Sequence, residues 1–149
     1  MTTFSMLDVQ RPSPQIARVF LNRPELRNAF NDAVIAELRQ VFEALAQEES
    51  LRVVVLGGHG KAFCAGGDLK WIEGIEGQGE RYAAVLKEGL DIVKTMANTP
   101  QPIVSMIKGH AMGLGATIGL FADVSFMDET AKIADPHAPI AVVAGDGGA

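Results

Sequence analysis

Apolar positions along this chain recur either every second residue or every third and fourth, and the two rhythms alternate. Gln15 to Leu21 mixes Ile, Val and Phe with polar neighbours, as a half-buried strand does, and Asn22-Arg23-Pro24 stops it with turn chemistry. From Asp32 onward Val34, Ile35, Leu38, Val41, Phe42 and Leu45 keep helical spacing, while Glu37, Arg39, Gln40 and Glu43 take the opposite face. That pattern predicts an amphipathic helix with Asn31 as its cap. Arg52 to Leu56 is a β-branched run closed by Gly57-Gly58, which reads as a strand buried in a parallel sheet. Glu80 to Met96 predicts a second amphipathic helix, with Tyr82, Val85, Leu86, Leu90, Val93 and Met96 on one side. Pro100 and Pro102 end it before a strand at Ile103 to Ile107. A short apolar helix over Leu114 to Phe121 and a strand over Asp123 to Met127 follow. Strands alternating with helices predict an α/β chain with at least one parallel sheet, in a single domain over residues 1–149. Gly74 to Gly79 reads as the most flexible stretch, placed to act as a mobile lid.

Two glycine-rich turns stand between strand-like and helix-like runs: Ala62-Phe63-Cys64-Ala65-Gly66-Gly67-Asp68-Leu69 and Gly109-His110-Ala111-Met112-Gly113-Leu114-Gly115-Ala116. Glycine permits positive φ and close approach to the main chain, and a helix beginning just after such a turn adds unpaired N–H groups. Two of them converging on one point make an oxyanion hole, in which fixed donors meet charge that develops only during reaction. Taken singly, each also reads as a tight connection of an α/β fold.

The block Gly60 to Leu69, the earlier Leu21-Asn22-Arg23-Pro24 with Asn28-Ala29, and Pro102-Ile103-Val104 leading into Gly109 to Asp123 resemble the enoyl-CoA hydratase/isomerase (crotonase) family, in order and spacing. The resemblance runs from about Ile16 to the last residue. It implies a crotonase-like spiral of β-β-α turns and an enzyme whose acyl-CoA thioester carbonyl accepts hydrogen bonds from two backbone N–H groups. By position these belong to Gly67 and Leu114. It also implies that Arg23, Ala29, Ala65, Gly66, Asp68 and Leu69 line the CoA site, with Arg23 and Lys61 facing phosphates. Both of these cations read as well as solvated surface charges. CoA enters as part of the substrate, and no further cofactor is implied. A homo-trimer or hexamer is the assembly the family suggests. Members of the family continue past the point matching Ala149 into a C-terminal helical region. On this reading that region is absent and the chain is truncated.

Hydration of an enoyl thioester needs a base for the attacking water and an acid for the α-carbon, roles that two glutamates fill in the hydratases. At the matching positions stand Thr117 and His137. Threonine is no base near neutral pH, but its hydroxyl orients a water. Histidine serves as base or acid there, and also reads as a turn residue beside Pro136. Asp146, near the place where some isomerases of the family carry an aspartate, is a further proton-transfer candidate or else an N-cap. Asp68 reads as the cap of a helix starting at Leu69, and Asp123 as the end of the helix before it. The missing glutamates leave open an isomerase, a hydrolase, a decarboxylase, or a non-catalytic CoA-binding subunit on the same fold.

Composition narrows the partners. A net charge of −5 argues against nucleic acid and anionic membrane surfaces, which select for basic patches. Met1 to Val9 lacks signal-peptide character, and no apolar stretch is long enough to cross a bilayer. The single Cys64 forms no internal disulfide, so a cytoplasmic location is expected. His59, His110 and Cys64 lack metal-ligand spacing and read as structural. Gly113-x-Gly115-x-x-x-Gly119 departs from the spacing of a dinucleotide-binding turn.

Overall fold

The computed structural model describes residues 4–136. Its main sheet has the order β1 (Leu7–Ser13), β2 (Ile16–Leu21), β3 (Val53–Gly58), β4 (Ile103–Ile107) and β6 (Val124–Met127). β1 pairs antiparallel with β2, and every later pairing is parallel. Parallel neighbours need a crossover, which α1 (Asp32–Ala46) provides between β2 and β3. Between β3 and β4 the crossover is made by α2 (Leu69–Ile75) and α3 (Gly79–Ala97). After β4 the chain forms β5 (His110–Met112) and α4 (Leu114–Leu120). β5 then pairs in parallel with β7 (Lys132–Ala134) as a second, two-stranded sheet.

The core lies on one face of the main sheet. Ala17, Val19 and Leu21 of β2, Val54 and Leu56 of β3, and Ile103 and Ile107 of β4 alternate inward. All six apolar positions expected on α1 are buried against them, and the Asn31 side chain accepts from the Val34 N–H as the predicted cap. On α3 the inward stripe is Gly89, Ile92 and Met96. The expected stripe is therefore rotated: Met96 is buried as predicted, whereas Leu90 is 39% exposed. The opposite face of the sheet carries Phe20, Met106 and Phe126 in one cross-strand row through Gly57, with Phe126 64% exposed.

Several local expectations change. Gly57 and Gly58 belong to β3 and do not close it, because a Cβ at 57 would sit 2.7 Å from the Phe20 ring and one at 58 would sit 2.5 Å from the Phe63 carbonyl. The stretch Gly74 to Gly79 includes the last turn of α2 and the start of α3, joined by a turn with Gly77 at φ +75. Asp123 is no helix terminator: its Oδ2 accepts from the Ile103 N–H at 2.7 Å and fixes the start of β4 beside β6. No helix among the described residues is long and apolar enough to cross a membrane.

The Asn31 cap yields a direct check on α1. Asn31→Ala should lower unfolding stability by about 1 kcal/mol in urea titrations, whereas Asn31→Gly should cost only a few tenths.

Candidate active site

Residues 64–68 form the middle strand of a small ladder that joins three parts of the chain. On one side the Cys64 N–H donates to the His110 carbonyl at 3.0 Å, and the Met112 N–H donates to the Cys64 carbonyl at 3.0 Å. On the other the Ala65 N–H donates to the Arg27 carbonyl at 3.0 Å, the Phe30 N–H to the Gly66 carbonyl at 2.7 Å, and the Asp68 N–H to the Phe30 carbonyl at 2.8 Å. The two glycine turns are thus in direct contact. A Cβ at Gly115 would lie 2.6 Å from the Cys64 Cβ, and one at Gly66 would lie 3.2 Å from the Met112 carbonyl oxygen.

Positive φ explains which glycines this needs. Gly66 sits at φ +86, Gly109 at +62 and Gly113 at +50, and a Cβ at Gly109 would fall 2.0 Å from the Lys61 carbonyl oxygen. The loop opposite uses Arg27 and Asn28 at φ +50 and +59. Asn28 offsets its strain through its side chain, which accepts from the Arg23 N–H and donates to the His59 and Ala62 carbonyls, both at 2.9 Å.

Gly67 and Leu114, the residues expected to present bare N–H groups, flank this contact. The Phe30–Gly67 bridge is parallel and uses the Gly66 carbonyl and the Asp68 N–H, so the N–H of Gly67 itself faces away from Phe30. Leu114 opens α4 behind Gly113, whose N–H donates to the Ala134 carbonyl at 3.1 Å. Among the described residues no acceptor takes the N–H of Gly67 or of Leu114. α4 is held to the sheet by two hydroxyls: Ser105 and Ser125 donate to the Gly119 carbonyl at 2.6 and 2.9 Å.

A cavity of about 710 Å³ opens beside Gly67. Of the expected site residues, Ala29, Ala65, Gly67, Asp68 and Leu69 line it. Leu69 is 66% exposed at its mouth, and the Asp68 carboxylate caps α2 through the Lys70 N–H at 3.1 Å, as predicted. Gly66 is buried in the ladder beneath, and Leu114 and Thr117 stand outside the lining. The Thr117 hydroxyl faces the Gly113 carbonyl at 3.4 Å. His137 and Asp146 lie outside the described residues.

The cavity wall also holds Leu26, Lys70, Trp71 and Ile72. Sequence reasoning missed Lys70, Trp71 and Ile72 because α2 is a single short element whose apolar residues give no full helical period, and Leu26 because it ends the three-residue 3-10 turn Pro24–Leu26. The signal available was Asp68, whose capping role makes the next two turns helical and turns Lys70 and Trp71 toward the glycine turn.

Of the two cations read either as phosphate contacts or as solvated surface charges, Arg23 is sheltered and Lys61 is exposed. Arg23 does not face open solvent: its guanidinium donates to the Ala29 carbonyl at 2.6 Å and to Asp68 Oδ2 at 3.2 Å. Lys61 is exposed and lies outside the cavity lining, where the cation is Lys70. His59 bonds Asp8 at 2.8 Å and stacks on Phe20, and it holds the Asp8 carboxyl below its usual range. Cys64 is buried, and burial pushes its thiol up to about 12. No metal-binding cluster occurs among the described residues.

The spiral of parallel strands with two abutting glycine turns is a crotonase-type fold. A solved enoyl-CoA hydratase/isomerase from Mycobacterium paratuberculosis superposes with a TM-score of 0.88 at 32% identity, covering 96% of this chain and 57% of that one. An enoyl-CoA hydratase from Bacillus anthracis gives 0.88 at 30%, covering 96% and 55%. A relative from Rhizobium meliloti (strain 1021) named "Probable enoyl-CoA hydratase" is 31% identical over 90% of this chain and 51% of its own length. The chain spans about half the length of these relatives. The enoyl-CoA hydratase/isomerase profile matches residues 12–149, and the chain belongs to that family.

Two substitutions probe the ladder. Gly115→Ala should destabilise the protein by about 1–3 kcal/mol in urea unfolding, because its methyl group meets the Cys64 Cβ with no room to move. For Cys64 the sign follows from its raised pKa: the unfolded thiol ionises near 9.0 and the folded one near 12, so its contribution is complete below pH 9 and declines toward 12. Between pH 8 and 10, under reducing conditions, the wild type should lose about 1 kcal/mol more stability than Cys64→Ala.

Proposed function

We propose that this chain holds an acyl-CoA thioester and polarises its carbonyl with the N–H groups of Gly67 and Leu114, as the core of an enoyl-CoA hydratase/isomerase. The observation that carries the reading is the pair of main-chain N–H groups without acceptors among the described residues, on two turns pressed together through Cys64. A thioester oxygen between them accepts two hydrogen bonds from donors fixed before the reaction begins. As an enolate forms, charge moves onto that oxygen and the same bonds strengthen. One such donor is worth about 10²–10³ in rate. Leu26, Ala29, Leu69, Trp71 and Ile72 give the neighbouring cavity apolar walls suited to an acyl or pantetheine chain, and Lys70 adds a cation for the anionic end of CoA. The ligand itself is the only cofactor-like group required, and a family-type trimer or hexamer is the assembly we propose.

Proton transfer falls to His137 and Asp146, with the Thr117 oxygen orienting a water. Threonine where hydratases carry a glutamate favours a second reading, in which the chain polarises the thioester for isomerisation, hydrolysis or decarboxylation, or binds it without turnover.

One assay separates these. Purified protein given crotonyl-CoA should deplete the enoyl absorbance without releasing free thiol, and His137→Ala and Asp146→Ala should slow it at least about ten-fold. Unchanged rates in both variants would remove those assignments. Free CoA released from a panel of saturated thioesters would mark a hydrolase, and thermal stabilisation by thioester without turnover would mark a binding subunit.

A further inference from the structure

Arg23 lies beside the cavity with its fork already engaged. Its Nη1 donates to the Ala29 carbonyl at 2.6 Å and its Nη2 to Asp68 Oδ2 at 3.2 Å, with the two side chains only 12% and 17% exposed. Ala29 and Asp68 both line the cavity, one on the loop before α1 and the other at the head of α2. Arg23 itself does not line it. The base of the side chain is fixed as well: the Arg23 N–H donates to Asn28 Oδ1 at 2.9 Å, and the Arg23 carbonyl accepts from the Asn28 N–H at 2.9 Å. Asp68 is committed at both oxygens, since Oδ1 takes the Lys70 N–H at 3.1 Å.

We propose that Arg23 is a positioning residue that clasps the two walls of the cavity on either side of Gly67, and is not a ligand of CoA phosphates. The inference rests on the acyl-thioester reading above and assigns its geometry to a residue that the bound molecule does not touch. A sheltered guanidinium whose charge is met by Asp68 gains little by turning to a phosphate, because the turn would strand both the carboxylate and the Ala29 carbonyl. Held in place, the fork fixes the separation of the Ala29 and Asp68 walls, and with it the aim of the Gly67 N–H, whose neighbour in the chain is Asp68. A lysine at 23 has one ammonium in place of a planar fork and bridges these two acceptors less well.

The test uses two ligands that differ in phosphate: butyryl-CoA, and butyryl-pantetheine, which has none. Binding is read from the emission of Trp71, the single tryptophan of the chain, which lies in the cavity wall. Arg23→Ala should weaken both ligands alike, by about ten-fold, at a temperature where the variant remains folded, and Arg23→Lys should recover part of the loss for both. A loss confined to butyryl-CoA would overturn the proposal in favour of a phosphate contact. Unchanged affinities with only a lowered melting temperature would overturn it in favour of a role in folding alone. Wild-type protein that binds neither thioester would overturn the acyl-thioester reading itself, and the clasp with it, an outcome distinct from the other two.

Discussion

The contact between Cys64 and Gly115 is the constraint on which the rest of the site depends. Residue 64 gives both its N–H and its carbonyl to β5, and its side chain lies where any side chain at 115 would have to go. Glycine at 115 therefore lets the first turn of α4 rest directly on the ladder, and Gly66 does the same from the other side against Met112. The thiol serves here as a small buried group that accepts from the Gly66 N–H and donates to the Asn28 carbonyl. Its burial raises its pKa and keeps it out of chemistry.

Much of this was legible from the amino-acid order. The α1 stripe and its Asn31 cap, the Asp68 cap and the presence of a parallel sheet follow from period, turn chemistry and spacing, whereas the meeting of the two glycine turns was implied by the family resemblance. What escaped was non-local. The inward stripe of α3 runs through Gly89, Ile92 and Met96 and leaves Leu90 outside, a choice that periodicity alone does not make, and the strand at Gly57 and Gly58 passes where Phe20 and Phe63 occupy the space side chains would need. β5 and β7 are three residues each and owe their existence to pairing with each other across some twenty positions. The setting of Arg23 escaped for a related reason: a sequence shows that it is a cation, but only the fold shows that Asp68 and the Ala29 carbonyl already hold it.

Energetically the site is supported from outside its lining. Arg23, Asn28 and Ser105 each tie separate segments together through main-chain carbonyls with hydrogen bonds at least partly sheltered from water, where leaving one partner unmet costs about 1–3 kcal/mol, and the exposed Ser125 adds a second bond to the Gly119 carbonyl. These side chains set where loop, strand and helix meet. The groups that face the cavity are largely apolar or main-chain, so orientation and chemistry are divided between different residues.

That division bears on how such a scaffold diversifies. Every residue except proline carries an amide hydrogen, so the N–H at 114 survives almost any exchange of its side chain. The strict positions are those where a methyl group collides, such as 66, 109 and 115. Side chains at 114 or 117 can therefore change while the bends of the backbone, and the directions of the main-chain N–H groups they set, are kept.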